Sequence, residues 1–293
     1  MGMIAARLSA PGDPMDQQPS VQGSYQREHF ADAAGEAERL AARSRLRLDG
    51  FRDLLDRHGF PIQGRVLEIG CGQGLRTRLM AEWAPDAAVV GIDRDNAFVE
   101  AARQEARTAG LQNLAFLHAD LHALPFAERS FDFIYARLVF INLPDARPVL
   151  KMLRPLLRPG GRILIEDADR DCMFFEPAPD SFAAYWRHIQ AGQRRHGGDP
   201  NVGRRLGPHI KEAGYCDVRI EVQPIVGDGR DIAFMVRELL PSLNTYLDPS
   251  ETALAETALG DLQRLAQDPR ATFLHFWFAV SAGRDGSGFP RTS

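Results

Sequence analysis

Val66-Leu67-Glu68-Ile69-Gly70-Cys71-Gly72-Gln73-Gly74 (VLEIGCGQG, 66–74) is the stretch that decides the fold. Four residues of apolar-rich strand run into three alternating glycines, and the apolar positions from Leu75 to Trp83 then recur at helical spacing. Glycines at Gly70, Gly72 and Gly74 let the backbone turn tightly and approach a ligand with no Cβ in the way. The helix that follows aims its unpaired N–H groups and the positive end of its dipole at the turn, which favours an anionic group there. Nineteen residues after Gly74, Asp93 closes a second strand, AAVVGID (87–93), where a carboxylate reaches both hydroxyls of a ribose. Strand, loop, helix and strand-ending acid together point to a nucleotide-like ligand.

The same alternation continues outward. After RVLEI (65–69) and 87–93 come a helix over 96–109, strand LAFLHA (114–119), strand FDFIYA (131–136), a helix over 145–157 and strand RILIED (162–167) behind the turn Pro159-Gly160-Gly161. Strands alternating with helices predict a parallel sheet with helices on both faces. Farther on, 180–195 and 202–213 read as helices, 216–224 as a strand and 271–283 as a final strand. The roughly 45 residues between those last two strands are too many for a hairpin loop, and 232–247 and 249–267 within them read as helices, so a helical lid is expected. The expected fold is α/β: a Rossmann-like, seven-stranded, mostly parallel sheet plus a helical cap. Its expected organisation is a mobile leader over 1–23, an N-terminal helical segment over 24–60, a main domain over 61–283 with lid insertions at about 170–200 and 226–270, and a mobile tail over 284–293.

Composition narrows the partners. Hydrophobic residues are 44% and charged residues 25% of 293, an ordinary globular balance. A net charge of -4 and a pI of about 6.1 give no long-range attraction to nucleic acid or anionic lipid. No run of about 18 apolar residues occurs. Cys71, Cys172 and Cys216 are odd in number, far apart and without metal-ligand spacing. A cytoplasmic protein with reduced cysteines and no metal is expected, acting on a small molecule rather than on nucleic acid or at a membrane. A homo-oligomer is left open.

The loop departs from a dinucleotide fingerprint, since Leu75 stands where a third glycine belongs. Together with GIDRDNAFVEAAR (91–103), HADLHALPF (118–126), SFDFIYARLVFINLPD (130–145) and LLRPGGRILIED (156–167), it resembles the class I S-adenosylmethionine-dependent methyltransferases of small-molecule type. The resemblance covers about residues 60 to 170. It implies S-adenosylmethionine as cofactor and S-adenosylhomocysteine as product. It further implies that Glu68 holds the amino group of the methionine part and that the backbone of Gly70, Cys71 and Gly72 lies along that part. Asp93 would accept from the ribose hydroxyls, with Arg94 beside the ribose or adenine. Asp120, preceded by Ala119, would accept from the adenine amino group, with the Leu121 N–H facing a ring nitrogen. Ala136 and Arg137 would line the methyl-transfer side, and Tyr25 would lie on an N-terminal segment folded across the cofactor.

Methyl transfer is an in-line displacement that needs alignment and exclusion of water, and a base only where the acceptor must lose a proton. Candidate acid–base groups follow the fifth strand; of these Asp169 and His188 are selected, with Asp167, Glu176 and His196 as others. Arg204 and Arg205 read as solvated helix charges, and Asp132 as a support of its strand. Phe174, Phe175, Phe182, Tyr185, Trp186 and Phe234 are read either as an apolar pocket lining or as core. The expected activity is methyl transfer to carbon, oxygen or nitrogen of an apolar or aromatic metabolite. Its rivals are an RNA or protein methyltransferase and a cofactor-binding protein without methyl transfer.

Overall fold

The computed structural model describes residues 24–25 and 48–286. Its framework is one seven-stranded sheet. Five strands, β1 (Gln63–Ile69), β2 (Asp86–Asp93), β3 (Leu114–His118), β4 (Phe131–Arg137) and β5 (Leu157–Glu176), pair in parallel in the order β3-β2-β1-β4-β5. Beyond β5 lie β7 (Thr272–Gly283) and then β6 (Cys216–Gly227), with β7 antiparallel to both neighbours. The expected mostly parallel, seven-stranded architecture is therefore the one observed.

Each parallel strand is a nearly continuous apolar run because helices cover both faces. One face packs Val66, Val89, Phe133, Tyr135 and Leu164 against α1 (Phe51–Arg57), α2 (Leu75–Trp83) and α3 (Asn96–Thr108). The other packs Leu67, Val90, Ile134 and Ile163 against α4 (Ala146–Leu153) and α6 (Val202–Glu212). Helix starts are fixed locally: the Asp95 side chain accepts from Ala97 N–H at 2.8 Å at the head of α3, and Asp145 accepts from Arg147 N–H at 2.9 Å at the head of α4. Asp132 supports its strand as expected, accepting from Arg65 N–H at 2.7 Å and pairing with Arg158 at 2.8 Å.

Two boundaries differ from the sequence reading. Strand β5 does not stop at 167 but runs on to Glu176, because after an irregularity between Ala168 and Met173 its pairing with β7 resumes through Met173 with His275 and Glu176 with Thr272. The lid region thus begins with a strand rather than a helix. Of the N-terminal helical segment, Phe51–Arg57 is observed; the leader and residues 26–47 lie outside the described residues. The expected loose tail begins with two anchored residues: Arg284 N–H donates to Gly161 O at 2.9 Å, and Asp285 accepts from Gly160 N–H at 3.2 Å.

A second, smaller core sits on the prolonged ends of β5 and β7. Helix α5 (Asp180–Arg195), the short helices α7 (Gly229–Phe234) and α8 (Leu240–Leu243) and the long α9 (Thr252–Leu265) close around Phe175, Phe182, Tyr185, Trp186, Ile232, Leu262 and Phe273. Phe182 and Trp186 stack with centroids 5.3 Å apart. Four of the six aromatics that had two readings are therefore core. Phe234 is half-buried and Phe174 is exposed on the other face of the sheet.

Candidate functional site

The glycine loop lies where β1, β2 and β4 end. Gly72, at φ +52°, has open space where a Cβ would stand, whereas Gly74, at φ +75°, has the Phe116 ring 2.4 Å from that position. A side chain at Gly74 would collide with the core, so the loop is held low, while the face at Gly72 stays clear. Cys71 N–H donates to Ile92 O at 2.9 Å, stitching the loop to β2, and the Cys71 side chain is buried with its thiol pushed up by burial.

Asp93 fixes the loop from the neighbouring strand. Its Oδ2 accepts from Gly72 N–H at 2.8 Å and its Oδ1 from Asp95 N–H at 2.9 Å, so both oxygens are oriented by backbone donors. Burial nonetheless holds this carboxyl above the ordinary aspartate range. Ala119 N–H donates to Asp93 O at 3.0 Å, tying the ends of β2 and β3 together. Next to it Asp120 opens a turn, accepting from His122 N–H at 2.8 Å, and Leu121 is half-buried beside it. Arg94 is exposed, and its carbonyl accepts from His118 Nε2 at 3.0 Å. Asp93, Ala119 and Asp120 thus share one rim at the carboxyl ends of adjacent strands.

Behind the loop Glu68 is buried and accepts from Thr77 Oγ1 at 2.5 Å. Burial pushes its carboxyl up to about 7, against the pull of Thr77, Arg76 and Arg137. Thr77 was not anticipated; no motif marks it, although its place in the first turn of α2 aims it back at β1. On the β4 side Ala136 is buried, and the half-buried Arg137 sets its guanidinium 4.9 Å from the centre of the Trp277 ring. Trp277 was likewise missed, since a strand tryptophan reads as core. Leu138 adopts φ +54° and donates its N–H to Glu166 O at 2.9 Å, turning the chain across the middle of β5. Asp167, fully buried, accepts from Ile141 N–H at 3.0 Å and Ala168 N–H at 2.9 Å, and burial raises it to about 7.

The segment bearing Tyr25 reaches this same edge. Ser24 N–H donates to Asn142 O at 2.8 Å and its hydroxyl to Asn142 Oδ1 at 3.0 Å, while Asn142 Nδ2 holds Leu138 O at 2.9 Å. Tyr25 follows directly and is half-buried.

The two selected acid–base candidates are each paired with another side chain of the chain. Asp169 is buried in a clamp formed by Arg204 Nη2 at 2.5 Å, Arg204 Nε and Asn201 Nδ2 at 3.0 Å. Burial raises its carboxyl, but these donors outweigh that and leave it below the ordinary range. Arg204 closes this clamp while its own side chain stays about half exposed. Arg205, exposed to a similar extent, pairs with Asp199 at 2.8 Å. His188 is also about half exposed and pairs through Nδ1 with Glu251 at the head of α9. His196 bonds Gly192 O at 2.8 Å at the end of its own helix, and Glu176 is exposed at the far end of β5. Among the described residues no group of three or more His, Cys, Asp or Glu is arranged to hold a metal ion, and no helix is long and apolar enough to cross a membrane.

With this geometry in place, comparison with known proteins is decisive for the family. A model of the methyltransferase domain matches residues 63–211, a little over half of the chain. The chain belongs to the class I S-adenosylmethionine-dependent methyltransferases. The matched span runs from β1 through α6 and holds the glycine loop, Asp93, Asp120 and Arg137. The chain is 35% identical over 159 residues to trans-aconitate 2-methyltransferase of Methylobacterium radiotolerans, covering 52% of this chain and 55% of that one. It is 38% identical over 123 residues to the O-methyltransferase cnsE of Penicillium expansum, covering 41% and 43%. Its fold superposes on phosphoethanolamine N-methyltransferase 2 of Haemonchus contortus, solved with S-adenosylhomocysteine, with a TM-score of 0.58 at 20% identity over 91% of this chain and 60% of that one. The chain spans about half the length of the curated relatives it matches.

The clamp around Asp169 makes a direct prediction. Asp169→Asn removes a buried charge that Arg204 partners and should cost about 2 kcal/mol of stability in urea unfolding, while methyl-transfer rate stays within about threefold. A loss of rate of a hundredfold or more at unchanged stability would restore Asp169 as a base.

Proposed function

We propose that the protein transfers a methyl group from S-adenosylmethionine to carbon, oxygen or nitrogen of a small apolar or aromatic acceptor. The observation that carries this reading is the Asp93 carboxylate, oriented by the Gly72 and Asp95 amides at the rim of an open glycine loop. Each oxygen already accepts one N–H, and each keeps a lone pair with which to accept a hydroxyl of a ribose. Nothing stands within 4 Å of the Cβ position of Gly72, so the loop is open to a ligand at that point. These residues suit the cofactor.

In this reading Glu68 holds the amino group of the methionine part, and the backbone of Gly70, Cys71 and Gly72 lines it. Asp93 holds the ribose, with Arg94 beside it. Asp120 and the Leu121 N–H, following Ala119, hold the adenine edge. Ala136 and Arg137 line the side from which the acceptor approaches, and Tyr25 covers the cofactor from the N-terminal segment. S-adenosylmethionine supplies an electrophilic methyl group on a sulfonium. The chain's own contribution is to align the acceptor behind that carbon and to keep water out, for which the segment at Ser24–Tyr25 and the cap helices are the available covers. Asp169 and His188 carry no proton in this scheme, because both are engaged elsewhere.

Two measurements test it. With S-adenosylmethionine labelled in the methyl group and a mixture of small phenols, carboxylic acids and amines, label should pass to the small-molecule fraction; transfer to added RNA or protein instead would contradict the reading. The second measurement uses the raised Glu68 carboxyl. Below about pH 7 it is mostly protonated, and a bound ammonium favours the carboxylate, so cofactor affinity should rise several-fold from about pH 6 to about 7.5. Titration calorimetry should find that slope flattened in Glu68→Gln; parallel profiles in the two proteins would remove Glu68 from the cofactor site.

A further inference from the structure

The antiparallel end of the sheet carries a largely apolar strand, β7, and one face of β6 continues that apolar surface. Along β7 the side chains of Phe273, His275, Trp277 and Ala279 are buried toward the cap and the main core, and Leu274, Phe276 and Phe278 point the opposite way. The register sets Leu274 between Phe174 on β5 and Val226 on β6, Phe276 beside Pro224, Phe278 beside Val222 and Val280 beside Ile220. Phe174 is 50% exposed, Ile220 53%, Val222 51% and Val226 67%. The Phe174 and Phe276 rings lie 6.3 Å apart and extend the surface across three strands. Helix α6 borders one end of this face, its Gly207 set against Ile220 and its Gly203 against Phe278.

An antiparallel sheet that meets water on one face alternates apolar and polar side chains. Here the outward positions of β6 from 220 to 226 are Ile220, Val222, Pro224 and Val226, with no charge among them. Of the large apolar residues that are half or more exposed among the described residues, Ile62 alone lies elsewhere. β6 is also the last strand of the sheet, so the face sits at the perimeter where another chain has access.

We propose that this face is the interface of a homodimer in which two copies pack sheet on sheet about a two-fold axis. The exposed apolar surface is on the order of 500 Å² per chain, at the upper end of what a monomer leaves bare. Doubled by the axis it reaches the roughly 1,000 Å² that a specific interface has to bury. A two-fold contact joins one patch to itself, and an uncharged apolar strip meets its own copy without like-charge repulsion. Aligned packing of two sheets is an established way to bury such faces.

Sedimentation velocity of the full chain from about 1 to about 100 µM should show a species of twice the monomer mass, weakening on dilution. The double substitution Val222→Lys with Val226→Lys should leave a monomer with wild-type S-adenosylmethionine affinity, and Ile62→Lys, which places a lysine on an exposed apolar residue off the face, should remain a dimer. Independently of any variant, amide exchange in the wild-type chain should slow over 222–226 and 274–278 as concentration rises. A wild-type monomer throughout that range, a dimer that survives the double substitution, or exchange indifferent to concentration would each overturn the proposal; in the first case the face belongs to a different partner.

Discussion

The carboxylate of Asp93 is the constraint on which the site depends. Through the Gly72 amide it reaches across from β2 to the loop after β1, and through the Asp95 amide it shapes the turn into α3. Two helices and two strands are thus set by one side chain. The loop can satisfy that carboxylate only with glycine at the bend, because Gly72 sits at φ +52° and Gly74 is pressed against Phe116. A charged group this buried gives up hydration, which is why its protonated form is favoured beyond the ordinary aspartate range. A ligand that returns hydrogen bonds to it recovers part of what burial removes.

The same opposition between burial and charge recurs at Glu68 and Asp167. Both carboxyls are pushed up to about 7 by burial, Glu68 answered by Thr77 and Asp167 by the Ile141 and Ala168 amides. Each raised unit corresponds to about 1.4 kcal/mol of preference for the protonated form. Since their folded values exceed the unfolded ones, the stability these groups contribute is complete below about pH 4 and declines as pH rises through about 7. Asp169 goes the other way: Arg204 and Asn201 keep it charged, and its contribution is present above the unfolded value and lost in acid. Groups poised near neutrality surround the loop, while the charged clamp lies outside it.

How much could be read beforehand follows from which forces are local. Buried parallel strands are continuous apolar runs, so β1, β2 and β4 and the helices between them were legible, and α2 and α5 fall on the residues expected. The glycines and Asp93 were legible because turn geometry and strand ends leave marks at fixed spacing. The prolongation of β5 was not, since Asp167-Ala168-Asp169-Arg170-Asp171 reads as a polar loop and only pairing with β7, a hundred residues on, makes it an irregularity inside a strand. The same limit applies to Asp169 and His188: residue type suggests acid–base chemistry, but their partners Arg204 and Glu251 are set by tertiary packing. Phe182, Tyr185 and Trp186 lie at a spacing shared by pocket linings and core, and the cap helices decide for core.

The central claim is that Asp93 and the glycine loop form a cofactor site, and titration calorimetry with S-adenosylhomocysteine tests it most directly. Wild-type protein should bind in the micromolar range, and Asp93→Ala should lose at least a hundredfold in affinity while its thermal unfolding remains cooperative. Wild-type protein that releases no heat of binding, or an Asp93→Ala variant that binds as tightly as the wild type, would contradict the account.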